Sequence, residues 1–417
     1  MDPARKWGSA EFTHTLAEVS WMASTAILMH LNERATGDPA REWLSSWAHR
    51  FFVGDHLRVL VLGCGEGWLE RAIAEWPYVA RIDAVDVSEE AVERARAAGG
   101  PKITYGVIDL NAGELEANAY DVIVAHSILH HVENLEHAFA QIDGAMKPDA
   151  TLVVNEYVGP NRFQFHADVL DIVNELLAAL PERLRRGHVE KTTYERKERP
   201  SIELMIANDP SEAVRAEDLL PMIGEWFEVL ESQALGGTIL MHLLYDIVQN
   251  FRFDDPHERA LIEMMCALEG ALVDSGAIAS DFAILAARKK TSALPRSAYA
   301  RPLPPRTPAA RDVEPDPLGF GRRAPRRAKA ATRPSRLAPW QLRVLRSALA
   351  SSRPRRANLI RERRLNAAIE QARYAISGMS PFDWIRSRWS ARDDDPSVAA
   401  MLEAIERVAG LQVSLRA

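Results

Sequence analysis

The sequence predicts an α/β fold built on a Rossmann-like, doubly wound parallel sheet, and three observations carry that prediction. Arg58-Val-Leu-Val-Leu-Gly-Cys-Gly-Glu-Gly67 reads as an aliphatic strand entering a turn with three alternate glycines, and the helical run 68–76 follows at once. Strand-like and helix-like runs then alternate, which implies parallel strands joined by right-handed crossovers. Four polar residues, Asp86, Asp109, His126 and Glu156, stand where successive strands end, the edge at which such sheets bind ligands.

The elements follow in order. Residues 14–31 carry Leu16, Val19, Met22, Ala23, Ala26 and Leu31 at near-helical spacing, and 39–52 carry Trp43, Leu44, Trp47 and Phe51 likewise. Residues 1–52 are therefore expected to be helices covering the ligand site, with Trp21, Trp43 and Trp47 as packing anchors. Val59–Leu62 is the first strand. Gly63, Gly65 and Gly67 leave no Cβ in the turn after it, so a ligand can lie on bare backbone N–H groups at the positive end of the next helix. The second strand, 81–88, leads through a Ser88 cap into a helix over 89–98. Asp86 falls 19 residues after Gly67, close to the ~20-residue offset at which a strand-end carboxylate reaches a ribose hydroxyl pair. Residues 102–110, 120–126 and 151–157 supply three more strands, with a helix over 129–144. Beyond Tyr157 come a polar and aromatic loop, a helix over 167–186, and the charged stretch 187–208, read as solvated. A helix capped by Ser211, a sixth strand (226–232), helices over 236–248 and 258–273, and a seventh strand (281–288) complete the body.

Composition narrows the partners. Cys64 and Cys266 are too few for a disulfide framework and too far apart for a zinc spacing, so a reducing compartment is the default. No leader-like apolar core follows the N-terminus, no window of membrane-spanning length is free of charge, and a cytoplasmic protein is expected. Residues 1–290 hold 26 Lys and Arg against 47 Asp and Glu, whereas 291–417 hold 25 against 11. An acidic body thus precedes a basic tail.

The glycine turn alone leaves several nucleotides open. No Gly-Lys-Ser/Thr follows Gly67, which excludes a P-loop, and Trp68 stands where the third glycine of a dinucleotide motif belongs. At this point the chain resembles class I S-adenosylmethionine-dependent methyltransferases. Val59-Leu-Val-Leu-Gly-Cys-Gly-Glu-Gly67 is similar to the first motif of that family, Val85-Asp86 to its ribose-binding acid, and Val107-Ile-Asp109-Leu110 to the segment beside the adenine. Residues 120–135 and 146–154 resemble its fourth and fifth strand regions. Val61 departs from the acid many members have two residues before the first glycine, and Asp149-Ala150 from a usual glycine pair.

The resemblance implies a seven-stranded sheet with a reversed terminal hairpin over 53–290, a helical and loop lid at about 159–215, and S-adenosyl-L-methionine as cofactor. Gly63, Cys64, Gly65, Gly67, Asp86, Val87, Asp109, Leu110 and His126 are the cofactor-binding residues it implies. The sulfonium is already an activated methyl donor, so alignment and exclusion of water are the main tasks and no metal is required. A hydroxyl acceptor would need a base, and His131, His130 and Glu156 are the candidates, with the adjacent histidines expected to point to different sides of their helix. The expected acceptor is a small molecule or a glycan- or glycolipid-like compound, methylated on oxygen in preference to nitrogen. The other readings are a non-catalytic S-adenosylmethionine-binding scaffold that recruits a partner through its tail, and an NAD-dependent oxidoreductase.

Residues 291–357 contain 11 of the 24 prolines and 16 Lys and Arg against three acids, the composition of a linker. Residues 358–417 read as a small, mostly helical accessory module, with amphipathic runs over 362–376 and 398–411. It is expected to dock on the body or to meet a protein or membrane surface. Nothing there supports nucleic-acid readout.

Overall fold

The computed structural model describes residues 6, 9, 18–299, 381–389 and 395–415. The expected linker over 291–357 and the amphipathic run 362–376 lie almost wholly outside them, as does the start of the first helical run. Seven strands form one sheet: β1 Leu57–Leu62, β2 Val79–Asp86, β3 Ile103–Val107, β4 Tyr120–His126, β5 Met146–Tyr157, β6 Phe227–Gly236 and β7 Phe282–Lys289. Their spatial order is β3-β2-β1-β4-β5-β7-β6. The first five are parallel, and β7 runs antiparallel to both β5 and β6, so the sheet ends in a reversed hairpin.

Burial on both faces explains the aliphatic run at the centre. Val59 and Val61 enter one core, Leu60 and Leu62 the other, and all four are at most 1% exposed. Alternate residues of a strand point to opposite faces, so a central strand between two helical layers needs apolar residues throughout. Burying each such side chain contributes about 1.5–3 kcal/mol.

Helices α1 Thr25–Thr36, α2 Trp43–Phe51, α3 Trp68–Ala74, α4 Glu89–Ala98 and α5 Leu135–Ala145 belong to the first half. Trp47 and Phe51 bury α2 in the first core, and the Glu42 carboxylate caps it by accepting the Leu44 and Ser45 N–H groups. The α2 end lies away from the ligand edge: His49 hydrogen-bonds Tyr78, which directly precedes β2, and Phe51 meets the first half of β5 through Thr151. This corrects the expectation that both N-terminal helices cover the site. Ser88 caps α4 on Ala91 N–H as its sequence suggests.

Three helix boundaries differ from expectation for local reasons. The run 129–144 splits into a 3-10 turn, Leu129–His131, and α5, because Val132 is extended and Asn134 caps the new helix on His137 N–H. Helix α6, Ala167–Ala179, stops before Leu180-Pro181, since proline disfavours a helical residue ahead of it. Then come α7 Ile202–Asn208, α8 Leu219–Trp226, α9 Leu240–Leu244 and α10 Pro256–Asp274. Only α9 is α-helical between 236 and 248, because Gly236 and Gly237 take φ of 89° and 81° and the buried Glu269 carboxylate accepts the Gly237, Ile239 and Leu240 N–H groups.

The charged stretch 187–208 is tied down. Asp246 accepts Val189 N–H and Tyr194 O–H, and Lys197 donates to Tyr245 O while lying 3.7 Å from the Tyr194 ring centre. At the C-terminal end, α11 Pro381–Trp389 and α12 Pro396–Leu415 pack on α10 and, through α12, on α6. Ile385, Trp389, Val398, Met401, Ile405 and Val408 belong to the same core as Ile172, Leu176 and Leu177 of α6. These two helices therefore share the core of the body and do not build a separate one. No helix among the described residues is long and apolar enough to cross a membrane.

Candidate active site

The order of strands reverses at β1. Chain connections run one way from β1 to β2 and β3, and the other way to β4 and β5, so the carboxyl end of β1 is the switch point at which such sheets open a crevice. Leu62 pairs with Val85 on one side and Ala125 on the other, which sets the glycine turn between the ends of β2 and β4.

The turn's geometry needs glycine. Gly63 has φ of 68°, and a Cβ on it would come within 2.6 Å of Ile128. Gly65 has φ of 51°, and an added Cβ would meet nothing within 4 Å, so its face is bare and open. Gly67, also in the left-handed region, caps α3. Asp86 braces this arrangement: Oδ2 accepts the Gly65 N–H at 2.9 Å and Oδ1 the Ser88 N–H at 2.9 Å. Cys64 is buried, its N–H donates to Val85 O, and burial pushes its thiol up, so its side chain packs and its backbone shapes the turn. Val87 is exposed beside Asp86. Asp109 accepts the Asn111 N–H and Nδ2–H, both at 2.9 Å, closing a local turn, and Leu110 is buried in the second core. His126, at the end of β4, meets Trp68 edge to face at 5.6 Å, and burial lowers its pKa. An open glycine face with a strand-end acid on the neighbouring strand fits an adenosyl cofactor.

A buried polar cluster follows β4 directly. Glu156 is 1% exposed; Oε1 accepts the Ile128 and Leu129 N–H groups and Oε2 pairs with His130 Nδ1, each at 2.6 Å. His130 Nε2 faces Glu212 Oε1 at 3.5 Å. Burial opposes the His130 charge, but the flanking Glu156 and Glu212 outweigh it and raise its pKa. Burial, then the His130 charge, lowers His131 to about 4, so that ring is neutral at neutral pH. His131 Nδ1 lies 3.1 Å from Ser211 Oγ, and Ser211 donates to Asp209 Oδ1 at 2.6 Å.

Several expectations change here. Glu156 is no free base: both oxygens are committed, and it positions the 128–131 turn and His130. His130 and His131 do not diverge, because they sit on a 3-10 turn with ring centres 4.2 Å apart. Ser211 is no helix cap; α8 starts later, after a 3-10 turn over Ala216–Asp218. Glu212 and Asp209 escaped the sequence reading, since nothing local ties a segment more than 75 residues downstream to the β4 end; the only signal is the Asp-x-Ser turn pattern itself. Ser127, Arg162, Phe163 and Ala213 all take positive φ in the segments that frame the cluster. Such strained residues concentrate where geometry is held for function.

This is the fold of a class I S-adenosylmethionine-dependent methyltransferase. Residues 60–154 match the family described as the methyltransferase domain, so the chain carries that domain, with S-adenosyl-L-methionine as its cofactor. A malonyl-[acyl-carrier protein] O-methyltransferase of Halalkalibacterium halodurans is 29% identical over 143 residues, 33% of this chain and 52% of the relative. A trans-aconitate 2-methyltransferase of Streptomyces avermitilis is 38% identical over 104 residues, 24% of this chain and 38% of the relative. The chain spans about half the length of the curated relatives first matched. Among solved structures, an S-adenosylmethionine-dependent methyltransferase from Mesorhizobium loti aligns with a TM-score of 0.36 at 20% identity, over 60% of this chain and 97% of that one.

Proposed function

We propose that the protein transfers a methyl group from S-adenosyl-L-methionine to an oxygen of a small-molecule or glycolipid-like acceptor. The observation that carries this is the His130–His131–Glu212 cluster, which begins two residues after Ile128, the residue packed on the glycine turn. Bound cofactor supplies an activated methyl group on sulfur; the chain's own residues must orient the acceptor and receive its proton. Gly63, Gly65 and Gly67 give the cofactor backbone contacts, Asp86 holds the turn and offers a carboxylate to the ribose, and His126 with Trp68 walls the crevice. The neutral His131 ring, oriented through Ser211 and Asp209, belongs to the cluster that meets the acceptor oxygen, while Glu156 fixes His130 from behind.

Two supports bear on the acceptor. One curated relative is named as an O-methyltransferase of a malonyl group on a carrier protein, and another as a trans-aconitate methyltransferase. Ile202, Leu204 and Ile206 of α7 are each about half exposed, and α7 runs straight into Asp209, which suits an acceptor with an apolar part. Calorimetry with S-adenosylhomocysteine, followed by a screen of labelled methyl transfer into carboxylate- and hydroxyl-bearing acceptors, tests the reading. Binding with transfer to oxygen is the expected result. Absence of cofactor binding overturns it, and binding without transfer to any acceptor supports the scaffold reading.

A further inference from the structure

We propose that His130, His131 and Glu212 bind one divalent transition-metal ion. One donor atom from each lies within 4.8 Å of the others, and His130 Nε2 is already 3.5 Å from Glu212 Oε1. Donor atoms of a tetrahedral zinc site, at bond lengths of about 2.0–2.2 Å, stand roughly 3.3 Å apart, so modest side-chain rotation closes the set.

The surroundings orient both rings for this. Glu156 Oε2 accepts from His130 Nδ1, which turns Nε2 towards Glu212, and a metal ion would take the place of the Nε2 proton that the two flanking carboxylates hold there. This carboxylate–histidine arrangement is how proteins fix the tautomer of a metal-ligating imidazole. Ser211 has one proton and gives it to Asp209, so the His131 Nδ1 contact with Ser211 Oγ is an N–H donating to oxygen. The lone pair of the neutral His131 ring is then on Nε2. Two imidazole nitrogens and one carboxylate, with other coordination positions left open, make a donor set suited to Zn²⁺ and its neighbours and not to the all-oxygen preference of Mg²⁺ or Ca²⁺. Glu156 and Glu212 flank His130, and Asp209, paired with Lys6, stands behind Ser211, so carboxylates outnumber the cationic groups around the two imidazoles. A metal ion in this place would hold an acceptor oxygen and lower its pKa. That last role rests on the methyl-transfer reading; metal binding itself does not.

The test uses the untagged full chain, stripped with chelator, then titrated with Zn²⁺ by calorimetry and with Co²⁺ by visible absorption. One equivalent of Zn²⁺ and Co²⁺ bands of a nitrogen–oxygen site are expected. Glu212→Gln and His131→Ala should each weaken Zn²⁺ binding at least 100-fold while still binding S-adenosylhomocysteine, which shows that the fold persists. Gly65→Val should lose S-adenosylhomocysteine and keep Zn²⁺. Wild-type protein that takes up no stoichiometric Zn²⁺, or uptake that neither ligand variant weakens, overturns the proposal. If S-adenosylhomocysteine binds in that same sample, the methyltransferase reading stands without the metal.

Discussion

Glu70, in the first turn of α3, is fully buried below the glycine turn, and neither of its oxygens has a well-formed hydrogen bond among the described residues. Burial raises its pKa from 4.5 to about 7, with its own backbone N–H, Tyr105 and Arg71 opposing. The folded state therefore holds this proton more tightly than the unfolded chain. Its contribution is fully present below pH 4.5 and is lost as the pH rises through 7. At 1.36 kcal/mol per pH unit, moving from 4.5 to about 7 costs the ionised protein about 3 kcal/mol. Glu70→Gln removes the titrating charge and keeps the shape. The variant should thus be more stable than wild type by up to about 3 kcal/mol at pH 8, and by less than about 1 kcal/mol at pH 5. Urea unfolding of both proteins at the two pH values measures the difference. A gain independent of pH, or none at pH 8, would refute the claim that Glu70 ionises in an unfavourable site.

Other outcomes follow from the same geometry. Gly65→Val places a branched side chain in the open left-handed turn, so calorimetry should find S-adenosylhomocysteine affinity down at least about 100-fold, that is about 3 kcal/mol, with folding retained. Glu156→Gln breaks a buried pair whose carboxylate also accepts two N–H groups; a loss of about 3 kcal/mol in denaturant unfolding is expected, together with a fall in kcat. Met401→Ala in α12 removes a fully buried side chain and should cost about 2–5 kcal/mol. Arg407→Ala removes a half-exposed pair with Glu175 and should change thermal stability by less than about 1 kcal/mol.

The sheet was legible because its evidence is local and repeated. Buried, mainly aliphatic runs ending at the ligand edge mark β1, β4 and β5, and the glycine spacing marks the switch point. Helix ends were less legible. Asn134 and Pro181 set local stops that are visible in the sequence, yet the apolar spacing on either side continues past them and masks the breaks. The reversed hairpin was legible through a family resemblance, since no periodicity distinguishes antiparallel β7 from a sixth parallel strand. The site divides along the same line. Glycines and strand-end polar groups on consecutive elements could be found, but the roles of Glu156 and Glu212 depend on which atoms they meet.

The tail shows the same limit. Charge and proline content separate residues 291–417 from the body, and by composition alone they form another module. Yet Trp389, Met401, Ile405 and Val408 share the core with Ile172, Leu176 and Leu177 of α6, within the segment expected to form a lid. Burying half a dozen such side chains contributes on the order of 10 kcal/mol before ordering costs, far more than a loop opening requires. Helix α6 is therefore clamped between the body and the C-terminal helices, and the stretch after it is held as well, by Asp246 on Val189 and Tyr194 and by Asn174 of α6 on Lys197.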